Sequence, residues 1–411
     1  MPSRPPQTLG LDPTFGYGDR LGYATPGHLD AHLAHGHGIS PIFAQQSIRE
    51  MERTARSPAD VLDDAARTLV AESFVGNWGA DADHLKTTAD VDVTAAAGYT
   101  FFTIDPSDHV DTAADDYDPA TIDERFQAVR PEIDWFDTYL GRTVRLDGAE
   151  IEFDEITVRR AAVKYGRAIA HARDLAGHIQ SVTESLGRAH EIELSVDETP
   201  QPTSLAEHFI IAERCLDAGM NLVSLAPRYI GGFEKGIDYR GDLDALERSL
   251  TSHMAIVREL GPYKLSLHSG SDKLSIYPLI ARATGGLFHV KTAGTSYLEA
   301  LRVVARHDSD LFRRIIDFSR IHFEDDRATY HISSELHLVP KPAEIAATNL
   351  ENVYLDRDAG RQILHVTFGS VLTDPALGRS VKGLLDAEPA THRQVVAAHF
   401  GRHLSALRQG M

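Results

Sequence analysis

The chain has 411 residues, of which 42% are hydrophobic and 25% are charged, and its formal net charge is -19. This composition is typical of a globular protein with a large core, and no apolar run is long enough to cross a membrane. The acidic balance argues against general affinity for nucleic acids or anionic membranes. The first residues lack the apolar segment of a signal peptide and the single Cys215 excludes an internal disulfide, so we expect a cytoplasmic protein.

Residues 1–57 are rich in glycine and proline, and we predict a loop-rich extension that packs on the main domain. Within it, Phe15-Gly-Tyr-Gly-Asp-Arg-Leu-Gly22 has two interpretations: a loop that covers a substrate or phosphate, or a tight structural turn. No Lys-Ser/Thr pair of a P-loop follows it. Ser57 and Pro58 then form a strong helix start, and this helix is predicted to run to about Ser73.

Beyond residue 73 the chain alternates between predicted helices and predicted strands that mostly end in polar residues. The eight predicted strands cover or end in 78–86, 100–109, 191–199, 221–228, 263–272, 286–292, 328–335 and 362–370. The alternation predicts a (β/α)₈ barrel of the TIM type over 58–385. A helical insertion is expected at about 110–188, between the second and third predicted strands, and a C-terminal helix at 386–411. A doubly wound open sheet is the alternative, but polar residues at nearly every strand end favour convergence on one mouth.

Histidines stand at five of the predicted strand ends. They are His84, His268, His289, His331 and His365. One histidine in such a place is usually a hydrogen-bonded core residue, but five at equivalent places indicate a bound divalent metal ion. Carboxylates accompany them at Asp83, Glu193, Asp197, Glu198, Glu234 and Asp272. Mixed nitrogen and oxygen ligands suit Zn²⁺, Mn²⁺, Co²⁺ or Ni²⁺ without choosing among them.

Glu193 and four cations are the other candidates for chemistry. Alternation around Glu193 points its side chain into the barrel, where burial would raise the carboxyl pKa and suit a general acid. The alternative is an ion pair with Lys264 or another barrel cation. The cations at or near strand ends are Lys86, Arg228, Lys264 and Lys291. In an acidic protein they predict an anionic substrate such as a carboxylate, while Lys264 and Lys291 are also Schiff-base candidates.

Several long sequence blocks resemble the tagaturonate/fructuronate epimerase family. They include Gly18-Asp-Arg-Leu-Gly22, Pro41-Ile-Phe-Ala-Gln-Gln-Ser-Ile-Arg49, Gly79-Ala-Asp-Ala-Asp-His-Leu-Lys86, Ser195-Val-Asp-Glu-Thr199, Glu234-Lys-Gly-Ile-Asp-Tyr239 and Phe288-His-Val-Lys-Thr-Ala-Gly-Thr. The resemblance spans residues 15 to about 370. It implies a metal-dependent barrel enzyme that converts D-tagaturonate into D-fructuronate in hexuronate catabolism. Some relatives are used on tagatose and fructose, so the acid and the neutral ketose both remain candidate substrates.

The reaction of this family inverts a carbon whose hydroxyl is β to a ketone, so simple enolisation does not loosen its C–H bond. One route is retro-aldol cleavage and re-addition through a metal-bound enediolate, and the other is migration of the carbonyl. Class II aldolases use an Asp-His pair and a Leu-His-Gly-Gly strand end, which Asp83-His84 and Leu267-His268-Ser-Gly-Ser resemble locally. This resemblance implies Asp83 as the base, His84 and His268 as metal ligands, and Glu234 at the place of the third ligand.

Several assignments stay open. His289, His331 and Glu198 compete with Glu234 as the third ligand, and Glu193 or Glu198 would be the opposing acid. The residues expected to bind the substrate are Lys86, Arg228, Lys264, Asp272, His289, Lys291 and His331. The rival functions are a class II-type aldolase for a keto sugar or sugar acid, and a sugar-acid sensor without chemistry. The C-terminal helix is expected to dock on the barrel or on a partner subunit of a homo-oligomer.

Overall fold

The computed structural model of the chain describes residues 5–330 and 332–411. Its strands are β1 (Thr14–Gly18), β2 (Ser40–Ser47), β3 (Gly79–Leu85), β4 (Phe101–Ile104), β5 (Thr143–Leu146), β6 (Ala149–Glu152), β7 (Glu191–Ser195), β8 (Leu222–Ala226), β9 (Lys264–Leu267) and β10 (Phe288–Thr292). Eight of them pair in parallel and close into a barrel, in which β10 returns to β1. The other two, β5 and β6, form a separate antiparallel hairpin. The carboxyl ends of all eight barrel strands therefore meet at one mouth.

Helices surround the barrel and make up much of the C-terminal third. The α-helices are α1 (Thr25–His35), α2 (Ile48–Thr54), α3 (Pro58–Ala71), α4 (Thr88–Ala97), α5 (Pro119–Val129), α6 (Phe136–Tyr139), α7 (Glu155–Ser185), α8 (Leu205–Asp217), α9 (Leu243–Leu260), α10 (Tyr277–Thr284), α11 (Thr295–His307), α12 (Ser309–Asp326), α13 (Asp358–Val366), α14 (Phe368–Thr373), α15 (Leu377–Ala387) and α16 (Pro389–Arg408). Short 3₁₀ helices lie at Ser107–His109, Arg130–Glu132, Arg327–Thr329, Leu336–Leu338, Pro342–Glu344 and Ala347–Asn349, and a π-helix lies at Asn352–Asp356. The predicted helix after Ser57 is confirmed as α3, with a capping box between Ser57 and Asp60.

The predicted (β/α)₈ barrel is confirmed, and six predicted strands coincide with β3, β4 and β7 to β10. Residues 1–57, which we expected to pack on the barrel as an extension, instead contain β1 and β2. The helical insertion therefore lies between the fourth and fifth barrel strands. β1 reads Thr-Phe-Gly-Tyr-Gly, and glycine weakens the sequence signal of a strand. Glycine is required at Gly18 because a Cβ there would lie 2.4 Å from the backbone oxygen of Thr292.

The last two predicted strands are wrong. Residues 362–370 form the end of α13 and the start of α14, and the described parts of 328–335 form the end of a 3₁₀ helix followed by irregular chain. Every residue from 360 to 366 is buried, so this helix shows no polar face. A short, fully buried helix and a buried strand give similar apolar runs. These helices pack with α11, α12 and α15 into a second apolar cluster beside the barrel.

The insertion is mostly helical, as predicted, and its longest helix is α7, with 31 residues. This helix packs on α4, α5 and α8. Its buried Lys164 has Nζ 2.7 Å from Asp115 Oδ2 and 3.1 Å from Glu207 Oε1 in α8. Because a buried ammonium needs charged partners, this ion pair fixes the insertion to the helical layer of the barrel.

The C-terminal helix α16 packs against α1, α10 and α11, which is one of the two predicted arrangements. Its Phe400 ring lies 5.4 Å from the ring of Tyr17 and 4.6 Å from that of His28, measured between centroids. Among the residues that the structure describes, no helix is both long and apolar enough to cross a membrane.

Candidate active site

A bulge at the end of β3 brings two consecutive polar side chains to the barrel mouth. The register against β4 shifts between Ala82 and Leu85. His84, inside the shift, has φ of 54°, in the left-handed region that non-glycine residues rarely adopt. In a regular strand Asp83 and His84 would point to opposite faces, but the bulge lets both line the same cavity.

Two imidazoles at the mouth are each oriented by a carboxylate, one buried (Asp105) and one partly buried (Asp197). His84 Nδ1 lies 2.9 Å from Asp105 Oδ2, and His268 Nδ1 lies 2.9 Å from Asp197 Oδ1. The two rings are 4.4 Å apart between centroids. A carboxylate on one ring nitrogen fixes the tautomer and leaves the other nitrogen available as a metal ligand.

Asp83 completes this group. Its Oδ1 lies 2.9 Å from His268 Nε2, and one ligand atom from each of Asp83, His84 and His268 lies within 4.8 Å of the others. Two nitrogens and one oxygen in this arrangement fit a divalent ion with further positions open to substrate. Glu198 stands on the rim of the same group, with Oε1 3.9 Å from His84 Nε2 and its side chain 43% exposed.

Below this group lies a closed layer of charge around Lys291. Its Nζ is 2.8 Å from Asp81, 2.9 Å from Asp83 and 3.1 Å from Glu193. Burial alone would lower the pKa of Lys291, but these three carboxylates outweigh it and raise the pKa. Lys291 is thus a permanent cation that neutralises the barrel interior, which does not suit Schiff-base formation.

Two connected cavities open above the charge layer. The inner cavity is narrow, about 30 Å³, and reaches down to Asp83, His84 and His268. The outer cavity, of about 500 Å³, extends past Asp197 and Glu198 toward the insertion, where Thr112 lines it. Four residues line both: Arg49, Lys235, Ser269 and Tyr330. The outer cavity has room for a polar molecule of several carbons, one end of which would lie beside these four shared residues.

Comparison with known proteins identifies the family. A sequence profile described as tagaturonate epimerase (UxaE) matches residues 1–407. The chain belongs to this epimerase family. The tagaturonate/fructuronate epimerase of Thermotoga maritima is 44% identical over 409 residues, which cover 99% of this chain and 83% of that protein. Native and glycerol-complexed crystal structures of fructuronate-tagaturonate epimerase UxaE from Cohnella laeviribosi match with TM-scores of 0.92 at 36% identity, over 98% of this chain and 83% of theirs. The predicted resemblance is thereby confirmed, and the chain is an isomerase-class enzyme.

In this epimerase, the predicted third ligand Glu234 lies apart from the histidines. Its Oε2 accepts hydrogen bonds from the backbone of Ser333 at 2.7 Å and from Gln362 at 2.8 Å, and its Oε1 lies 3.6 Å from Arg240. Glu234 belongs to none of the ligand-like clusters of the described residues. It ties the loop after β8 to α13. His331, a competing ligand in the sequence prediction, lies outside the described residues.

The prediction that Glu193 has a raised pKa is wrong. Burial acts in that direction, but Lys291 outweighs it, with help from His289 and His268, so the pKa of Glu193 is lowered. Its other oxygen accepts a hydrogen bond of 2.6 Å from Ser224. The ion-pair alternative is the one observed, with Lys291 as the partner.

Most of the predicted substrate contacts of the epimerase have protein partners instead. Lys86 Nζ lies 2.7 Å from Asp108 Oδ1 on the rim. Lys264 and His289 are buried deep in the barrel and share Thr14 Oγ1, at 3.1 Å and 2.8 Å. Burial lowers the pKa of Lys264 to about 8. Of the predicted cations, Arg228 alone lines one of the two cavities at the mouth.

Asp272, another predicted substrate contact, lies in a buried network behind the mouth. Its Oδ2 is 3.0 Å from Arg361 and its Oδ1 is 3.1 Å from His399 of α16. The neighbouring Ser269 and Ser271 line the inner cavity, so the loop after β9 does reach the mouth. The role of Asp272 is to hold this loop.

Several cavity residues escaped the sequence prediction. They are Arg20, Gln45, Ser47, Arg49, Glu50, Lys235, Lys273 and Tyr330. Five of them lie at the end of β2 or follow β1 or β2, inside the segment that was taken for a loop-rich extension. The usable signal was the run Pro41-Ile-Phe-Ala followed by Gln45-Gln-Ser, which is an apolar strand that ends in polar residues.

Proposed function

We propose that this epimerase interconverts D-tagaturonate and D-fructuronate with the help of a divalent metal ion at the barrel mouth. The names of its relatives support the substrate pair. One observation supports the metal: His84 and His268 stand together beside Asp83, each with Nδ1 hydrogen-bonded to a carboxylate. Paired imidazoles oriented in this way are characteristic of metal ligands.

The proposed route is retro-aldol cleavage, in which a carbon–carbon bond breaks and re-forms. A base removes the proton of the hydroxyl on the inverted carbon, C4 in ketose numbering. The C3–C4 bond then breaks, its electron pair forms an enediolate over C2 and C3, and C4 becomes an aldehyde. Rotation of the aldehyde and re-formation of the bond restore the proton with inverted configuration. No atom is gained or lost, as an isomerisation demands.

His84, His268 and Asp83 would hold the ion, which when bound would withdraw electron density from the ketone oxygen. Asp83 suits a ligand better than a base. Its burial favours a raised pKa, but Lys291, His84 and His268 outweigh the burial and hold the pKa of Asp83 well below its usual value. A carboxylate with such a low pKa is a weak proton acceptor.

Glu198 is our candidate for the base. Its side chain is half-exposed on the rim, and its Oε1 lies 3.9 Å from His84 Nε2, at the junction of the ligand group and the outer cavity. In this position it would accept the hydroxyl proton and return it after the aldehyde has rotated. Retention of the aldehyde fragment in the inner cavity until the bond re-forms would distinguish an epimerase from an aldolase.

The decisive experiment follows tagaturonate by NMR in D₂O with purified, metal-loaded protein. We expect fructuronate to form without deuterium at C4, because the retro-aldol route breaks no C–H bond there. Treatment with EDTA should abolish turnover and Mn²⁺, Co²⁺, Ni²⁺ or Zn²⁺ should restore it. His84→Gln and His268→Gln should lose bound metal, whereas His178→Gln, on the outer face of α7, should retain it.

Each alternative has its own result. Deuterium at C4 would replace the retro-aldol route with carbonyl migration. Free three-carbon fragments as the main product would make the chain an aldolase. Metal-loaded protein that leaves tagaturonate unchanged would overturn the proposed activity.

A further inference from the structure

Three cations line the outer cavity without a carboxylate partner among the residues that the structure describes. They are Arg49, Arg228 and Lys235. Within the described chain, no carboxylate oxygen lies within 4.0 Å of their side-chain nitrogens. Of the other cations close to the mouth, Lys86 is neutralised by Asp108 and Lys291 by three carboxylates, while Lys273 donates to three backbone carbonyls. In a protein with a net charge of -19, unpaired cations around one cavity indicate a site for an external anion.

Each of the three cations is held in place by an uncharged contact. Lys235 Nζ donates a hydrogen bond of 3.1 Å to Ser269 Oγ. The Arg49 guanidinium lies 5.9 Å from the centroid of the Tyr330 ring, and that of Arg228 lies 5.6 Å from Phe233. These contacts orient the cations but leave most of their donors unused. Burial lowers the pKa of Arg228, so a bound anion would relieve the cost of desolvation.

Lys235 and Arg49 line both cavities, and this places them between the ligand group and the outer cavity. Ser269, the hydrogen-bond partner of Lys235, directly follows His268 in the chain. Asp197 and Glu198 line the same cavity and would repel an anionic substrate that was not held by these cations. A hexuronate has its ketone and its carboxylate at opposite ends of one short chain. It can therefore face the histidines with the ketone only if cations receive its other end.

We propose that Lys235 and Arg49, with Arg228 as the outer wall, bind the carboxylate of the substrate and select a sugar acid over a neutral ketose. This assignment rests on the proposed function. It replaces the predicted set Lys86, Lys264 and Lys291, all of which have partners inside the protein.

The test compares an acid with a neutral substrate. Lys235→Met and Arg49→Met are assayed for kcat/KM on tagaturonate and on tagatose, with metal content measured in parallel. We expect kcat/KM to fall about 10- to 100-fold for the acid, the loss of one charge-assisted hydrogen bond, and less than about threefold for the ketose. Lys235→Arg should recover most of the acid activity. Arg258→Gln, on the exposed face of α9, is the matched control and should change neither substrate.

If wild-type turnover of tagatose is too slow, competitive inhibition by glucuronate and by sorbitol gives the same comparison. Equal losses for acid and neutral ligands, or full acid activity in both Met variants, would overturn the carboxylate site. Failure of the proposed function looks different, because wild-type protein would then leave tagaturonate unchanged. If wild-type protein converts tagaturonate and both Met variants keep full activity on it, only the assignment of the cations is refuted.

Discussion

At the scale of single residues, the geometry of the barrel mouth depends on pairs in which one side chain fixes the orientation or charge of another. His84 is set by Asp105, His268 by Asp197, and Asp83 by Lys291. The sequence identified the two histidines and Asp83 because polar residues at strand ends are unusual. It could not identify which carboxylate serves which imidazole, since the pairs join β3 with β4 and β7 with β9. Such pairings depend on the closed barrel and not on spacing along the chain.

The orienting carboxylates provide a prediction at this scale. Asp105→Asn and Asp197→Asn keep the size of the side chain but remove the charge that fixes the Nδ1–H tautomer. We expect metal affinity to fall about 10- to 100-fold in each variant, with kcat reduced when metal is limiting. Competition with a chromophoric chelator measures this affinity.

The chain offers a matched control for these variants. Asp92 and His178 form a similar pair at 2.8 Å on the surface, where Asp92→Asn should leave metal affinity unchanged. Wild-type metal affinity in both buried Asn variants would show that the two histidines do not hold the ion.

At the scale of elements, the C-terminal helix α16 acts on the active site from outside the barrel. His403 donates from Nδ1 to the carbonyl of His399 at 3.0 Å, so its Nε2 accepts the backbone N–H of Asp272 at 3.2 Å. Asp272 has φ of 61°, a conformation that needs support from its surroundings. Because these nitrogens already have protein partners, Asp272, His399 and His403 form a strut for the loop that carries Ser269 and Ser271.

A pair of substitutions at His403 tests this strut. His403→Leu leaves the Asp272 N–H buried without an acceptor, at a cost of about 1–3 kcal/mol. We expect a lower melting temperature and a several-fold higher KM for tagaturonate, with metal affinity unchanged, because the loop bears on substrate and not on the ligands. His403→Gln retains an acceptor oxygen and should lie close to wild type. Indistinguishable Leu and Gln variants would refute the strut.

At the scale of the whole molecule, the sequence predicted the barrel from strands that alternate with helices, and the insertion and α16 from their periodicity. It missed β1 and β2 because glycines and Pro41 obscure their strand pattern, and it replaced them with apolar runs near residues 330 and 365. The same error hid Arg49, since that residue follows β2 in a segment read as an extension. His365 still lines the mouth, although it arrives there on a helix. The prediction thus had the correct number of barrel strands but placed two of them in the wrong segments of the chain.

The prediction at the scale of the whole molecule is that the free energy of unfolding decreases in acid. Burial lowers the pKa of His28 to about 3, that of His253 to about 4 and that of His403 to about 3. The unfolded chain binds protons at these histidines below about pH 6.5 and the folded chain does not, so the free energy of unfolding falls with pH from 6.5 downwards. Each such histidine contributes a slope of up to about 1.4 kcal/mol per pH unit. In EDTA, His84 and His268 add little below pH 6.5, because their pKa values are raised and they are charged in both states.

Urea unfolding at several pH values between 7 and 5, in EDTA, measures this slope. His28→Gln removes a titrating group but keeps a polar partner for Ser296, whose Oγ lies 2.9 Å from His28 Nε2. We expect the slope of this variant to be shallower than that of wild type by about one proton, or about 1.4 kcal/mol per pH unit. His337→Gln, whose side chain is exposed, should leave the slope unchanged. An unaltered slope in His28→Gln would mean that His28 is already charged in the folded protein, and the packing of Tyr17, His28 and Phe400 under α16 would then have to accommodate a buried cation.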